Sequence, residues 1–273
     1  MEDRPATLVQ PELIRTMAPK AANAVAGVRG TRHVRYAVTG AARLIGLSAA
    51  PPEPSKGSAG GPRVGADPAA GSKGKDNHVP NPDLHSAAER MSHLLSALPD
   101  DAMGAPTPCP DLPVGALIDH VGGFAKVFTA SARKEIGDLT AQPPDPRAGN
   151  LEPGWRDRVA ADLAALADAW NAPEAWDGMT QAGGQDLPAA MAGRIALDEL
   201  VIHGWDIAQA TGQPFDCEAA ALNEVESTVQ QVRGGNDGEL PGLFGPVVPI
   251  SGDASNLDRA LGLTGRDPAW SPK

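Results

Sequence analysis

Glu199 and His203 stand four residues apart in LDELVIHGWDIAQATG, so on a helix both side chains project from one face. Asp206, three beyond His203 and seven beyond Glu199, extends the same stripe. Ile195 and Ile202 border it, which points to partial burial. A buried carboxylate beside an imidazole is costly unless it is paired or metallated. Zinc, iron, nickel and manganese all accept that ligand mixture. Taken alone, the pair is weak evidence for a metal, because Glu/His pairs at this spacing arise by chance on many helices and usually one partner is simply solvated.

His120 adds weight. It lies in LIDHVGGFAKVF, on an apolar stripe between Leu117 and Phe124, so it must be buried or face a cavity. A core histidine satisfied by one hydrogen bond is the plain alternative. Gly122 and Gly123 follow at once and are expected to leave room beside it. His120, Glu199 and His203, supplied by two facing helices, would make an open three-ligand site with positions left for water or substrate. Asp206 is then a candidate outer-sphere partner. Arg194, five residues before Glu199, is a candidate for meeting an anionic substrate, with a surface ion pair as the alternative.

A rival cluster, His85, Glu89 and His93, recurs at steps of four. His85 and His93 are about 12 Å apart on a helix, so one ion cannot bridge them. They lie off the Leu84/Met91 stripe and are expected on a solvated face. No HExxH, phosphate-binding loop or GxSxG elbow occurs. Cys109, between two prolines, reads as a half-buried structural residue rather than a reactive thiol.

The elements that must position these groups are helical. Alanine is frequent and only 4% of residues are aromatic, which favours helices over β-sandwiches. Periodicity predicts helices over about Asp83–Leu98, from an Asp111 N-cap with Pro113 in the first turn, over Trp155–Trp170, over Pro188–Ala210 and over Cys217–Val232, and a short one near Asn256–Leu263. Breaker-rich loops separate them, including Gly178 and the pair Gly183-Gly184, and no convincing strand series is found. The expected class is all-α, a four-helix bundle with additional C-terminal helices over residues 81–273.

Residues 1–80 are a different kind of sequence. They carry 11 Lys/Arg against 6 Asp/Glu, whereas residues 81–273 carry 12 against 28. Residues 47–80 are dominated by Pro, Gly, Ala and Ser, which predicts a disordered extension. One helix is expected near Pro11–Val28 and a short apolar patch around Ala41–Leu47. The acidic body argues against nucleic acid as a partner. No run approaches the about 18 apolar residues of a membrane span. No compact apolar leader segment is found, and the two cysteines, Cys109 and Cys217, are too few for a disulfide framework, so a cytoplasmic setting is expected.

TPCPDLPVGALIDHV (Thr107–Val121), DELVIHGWDIAQATGQ (Asp198–Gln213) and LDRALGLTGRDPAW (Leu257–Trp270) together resemble the DinB-like metal-binding superfamily. The branch is that related to the N-terminal domain of mycothiol-dependent maleylpyruvate isomerase. The resemblance implies a four-helix bundle with one divalent ion, zinc or alternatively nickel, held by a His on the second helix and a Glu/His pair on a later one. Those positions are His120, Glu199 and His203. It also implies a low-molecular-weight thiol, of the mycothiol type, that is activated on the metal and adds to an electrophilic substrate. The isomerase branch carries a further C-terminal domain that helps complete its active site. The residues after Gln213 match a shorter branch, so isomerisation of maleylpyruvate itself is not expected. Two functions remain open: a metal-dependent thiol transferase or isomerase-like enzyme, and a non-catalytic metal-binding or interaction protein with a structural or vestigial site.

Overall fold

A computed structural model describes residues 80–110, 112–240 and 243–272. The expected N-terminal disorder, the helix near Pro11–Val28, the patch at Ala41–Leu47 and the Asp111 cap all fall outside the described residues.

Six α-helices, three short 3-10 helices and one two-stranded ribbon make up the regular structure of the described residues, and the α-helices and strands position the site. They are α1 (His85–Ser96), α2 (Val114–Ala132), α3 (Trp155–Trp170), β1 (Met179–Ala182), β2 (Gln185–Pro188), α4 (Ala189–Thr211), α5 (Ala219–Arg233) and α6 (Asn256–Leu263). The first four helices form the bundle. Both α3 and α4 pack against α1 and α2, so α1 and α2 occupy opposite corners. α5 covers α4, and α6 packs on α5.

Each helix buries the stripe its sequence marks. Leu117, Val121, Phe124 and Phe128 of α2 meet Val159, Leu163, Leu166 and Trp170 of α3 in one continuous core. The long α4 is buried on nearly all sides because bundle helices flank it on one face and α5 on the other. Its ends are set by backbone chemistry. Pro188, which has no N–H to leave unpaired, stands at the N-cap. Gly212 adopts φ +67° at the C-cap, and the Gln213 N–H donates to the Ala208 carbonyl, 2.9 Å away. In α2 Pro113 is the N-cap itself rather than a residue of the first turn.

The ribbon is the one element periodicity does not announce. β1 and β2 pair antiparallel with Ala182 opposite Gln185. Gly183 and Gly184, at φ +55° and +78°, make the two-residue turn that such a register requires. Thr180 donates through Oγ1 to the Ser131 carbonyl at 2.6 Å, which fastens the ribbon to the end of α2.

Candidate metal centre

His120 enters the core from α2, and Glu199 and His203 enter from the middle of α4, where the two helices pack together. Nε2 of His120 and Nε2 of His203 each lie 3.1 Å from the same oxygen, Oε2 of Glu199. The two imidazole rings meet edge to face with centroids 4.9 Å apart. One donor atom from each of the three residues falls within 4.8 Å of the others, and all three side chains are buried. One carboxylate and two imidazoles are a donor set suited to a divalent ion.

Behind this cluster a chain of charges holds His203 in place. Nδ1 of His203 donates to Oδ2 of Asp206 at 2.9 Å, which aims Nε2 at Glu199. Asp206 is fully buried and accepts from Arg266 through Nη2 at 3.0 Å and Nε at 3.4 Å. Asp206 thus lies on the same stripe of α4 as Glu199 and His203 and hydrogen-bonds to His203. Arg194 points elsewhere and forms an ion pair with Glu224 of α5.

The electrostatics follow from burial opposed by pairing. Burial alone would push the Glu199 carboxyl up, but hydrogen bonds from His120 and His203 outweigh it and hold the group well below the usual carboxylate range. Burial works against a charged His203, yet the bonds to Asp206 and Glu199 push it up to about 9. Asp206 would likewise be raised by burial, and Arg266 and His203 bring it down. A divalent ion at the triad would compete with the proton on His203.

Sequence reasoning missed three residues near this cluster. Arg266 follows α6, sixty residues from Asp206, and no helical period links them. Cys109 is buried, and its Sγ lies within 4.8 Å of donor atoms of His203 and Asp206. Both residues stand in the quoted motifs, TPCPD and LTGRDPAW, which was the available signal. Asp198 is buried too, and burial followed by the nearby Glu199 pushes its carboxyl up to about 7. The space left by Gly122 and Gly123 is taken by Val159 and Pro144 rather than kept open beside His120. The rival cluster behaves as a solvated face: Glu89 and His93 are exposed, and His85 bonds to Asp83 and Asp168.

Cys217, the other cysteine, gives a direct chemical prediction. Burial pushes its thiol up to about 11. The thiolate is the reactive form, so native Cys217 should alkylate slowly at about pH 8. Its rate should rise about tenfold per pH unit until the pH nears that value. Peptide mapping after iodoacetamide treatment separates it from Cys109. A native rate that levels off near pH 9, as in the urea-unfolded chain, would contradict this.

A helical bundle with a buried His/Glu/His cluster between its second and fourth helices defines the class. Residues 84–208 match the family described as the mycothiol maleylpyruvate isomerase N-terminal domain. The described domain therefore resembles the DinB-like superfamily, in the branch related to that enzyme. An uncharacterized protein of Mycobacterium tuberculosis, found in strains H37Rv and CDC 1551 / Oshkosh, is 29% identical over 137 residues, or 48% of this chain and 67% of that protein. Crystal structures of the mycothiol-dependent maleylpyruvate isomerase and of a mutant of it are also similar. The first is 19% identical with a TM-score of 0.43, covering 54% of this chain and 66% of that one. The second is 18% identical with a TM-score of 0.42 over the same shares. The family match takes in His120, Glu199, His203 and Asp206 and ends before Arg266. No helix among the described residues is long and apolar enough to cross a membrane.

Proposed function

We propose that His120, Glu199 and His203 hold one divalent metal ion, zinc or alternatively nickel, and that the domain is a metal-dependent enzyme of low-molecular-weight thiols of the mycothiol type. The observation that carries the metal reading is the convergence of two buried imidazole Nε2 atoms on a single oxygen of Glu199, each at 3.1 Å. The family of residues 84–208 supports the thiol. A bound ion supplies Lewis acidity that lowers the pKa of a thiol or water at an open coordination position. The chain's own residues do the rest. Glu199 provides the negative charge of the triad. Asp206 fixes the ring of His203. The apolar walls, Phe124 among them at 5.6 Å from the His120 ring, limit access of water.

The thiol is then expected to add to an electrophile, as a transferase or isomerase-like enzyme would have it. The test uses the full chain, stripped with a chelator and reloaded with zinc. Titration with mycothiol at neutral pH should release protons and develop thiolate in the loaded protein only. The loaded protein should then conjugate or isomerise members of a panel of electrophiles. A loaded chain that releases no proton and turns over nothing would leave a structural or vestigial metal site instead.

A further inference from the structure

Two possible ligand sets overlap at His203. One is His120, Glu199 and His203. The other is Cys109, His203 and Asp206, whose donor atoms also lie within 4.8 Å of one another and are all buried. The loop that carries Cys109 is well fixed: its backbone N–H donates to Thr107 Oγ1 at 3.1 Å, and that hydroxyl donates to the Leu112 carbonyl at 2.7 Å.

On charge and softness alone the second set should win. It offers two anionic donors, a thiolate and a carboxylate, against one in the first, and thiolate is the strongest attraction for zinc-like ions. What changes the balance is Arg266. Its guanidinium is buried and grips both oxygens of Asp206, at 3.0 and 3.4 Å. Nη1 is tied to the Thr264 carbonyl at 3.0 Å, so the group is anchored and cannot swing aside cheaply. A dication placed against Asp206 would face this fixed positive charge in a site screened from water, where like charges repel strongly. Glu199 has no guanidinium among its hydrogen-bond partners, which are the imidazoles of His120 and His203.

We propose that Arg266 commits a divalent ion to the His120/Glu199/His203 set by standing, as a fixed charge on Asp206, where the overlapping Cys109/His203/Asp206 set would otherwise bind it. This rests on the metal reading above. Arg266 is thus a positioning residue. It is supplied from beyond the segment that matches the family, so this selection is made by the C-terminal part of the chain.

Cobalt(II) reports the choice, because thiolate coordination adds a charge-transfer absorption in the near ultraviolet that imidazole and carboxylate do not. The full chain loaded with cobalt should lack that band. Arg266→Gln should acquire it and lose it again in Arg266→Gln/Cys109→Ser. Arg266→Lys, which keeps the charge, should retain the wild-type spectrum. A wild-type chain that shows the band and loses it in Cys109→Ser overturns the proposal, and so does Arg266→Gln bound to cobalt with an unchanged spectrum. Should Arg266→Gln not fold, Arg266→Met reads the same comparison, and the wild-type against Cys109→Ser arm stands without either. A wild-type chain that takes up no cobalt at all overturns the underlying metal reading, a result distinct from binding through the thiolate.

Discussion

Glu199→Ala is expected to strip the domain of metal while leaving it folded. Native full-length chain should carry about one equivalent of divalent ion, and the variant almost none, measured by mass spectrometry on protein isolated without chelators. Glu199 is the one anion of the triad, so its removal deletes a donor and most of the Coulomb attraction together. Loss of an outer-sphere partner alone typically costs about 10–100-fold in affinity, so loss of the anionic donor should exceed that. The fold should survive for a specific reason. His203 keeps its bond to Asp206, and Asp206 keeps Arg266, so no buried charge is abandoned. His203→Ala should lose metal as completely, with Glu199 still paired to His120. Equal metal in native and variant chains, or none in either after reconstitution, would reduce the cluster to an ordinary buried polar network.

Much of this site was legible because helices convert spacing into geometry. Four residues between Glu199 and His203, and three more to Asp206, become one face of α4 with no tertiary information. Helix limits were legible for the same reason: the apolar steps through Val159, Leu163, Leu166 and Trp170 fix α3. The hairpin was not legible, since MTQA and QDLP are too short and too polar to show alternation, and only the Gly-Gly pair marks it. Arg266 and Cys109 escaped for a deeper reason. Each reaches Asp206 or His203 from a loop far away in sequence, and no period connects a loop to a helix it closes over. The glycines after His120 misled in the opposite way. Small residues on a helix signal close approach, and here the approach is by Val159 and Pro144.

The route by which Arg266 reaches the core makes Gly265 a sensitive residue outside the bundle, and Gly265→Ala is expected to destabilise the domain by about 2–6 kcal/mol. Gly265 sits at φ +81°, where any side chain is strained. A Cβ there would also stand 2.8 to 3.0 Å from backbone atoms of Gly245. Gly245 cannot give way freely, because its carbonyl accepts from Arg233, which also donates to the carbonyls of Asn236 and Gly238 at 2.9 and 3.0 Å. The strain must therefore move the chain at Thr264–Arg266. There the Arg266 N–H is bonded to the Leu261 carbonyl at 2.9 Å, and its guanidinium is committed to Asp206. Such a loss is a large share of the about 5–15 kcal/mol that holds a domain folded. The ligand choice should change as well: with Asp206 released from Arg266, the cobalt-loaded variant should acquire the thiolate band of the Cys109/His203/Asp206 set. Gly252→Ala is the control: a Cβ there meets nothing within 4 Å, and its effect should stay within about 0.5 kcal/mol. Urea denaturation of both variants, each compared with the native chain, decides the matter. If Gly265→Ala proves as stable as Gly252→Ala, the crossing with Gly245 yields to a side chain, and Arg266 is held by its own hydrogen bonds to Asp206, Thr264 and Leu261 rather than by that crossing.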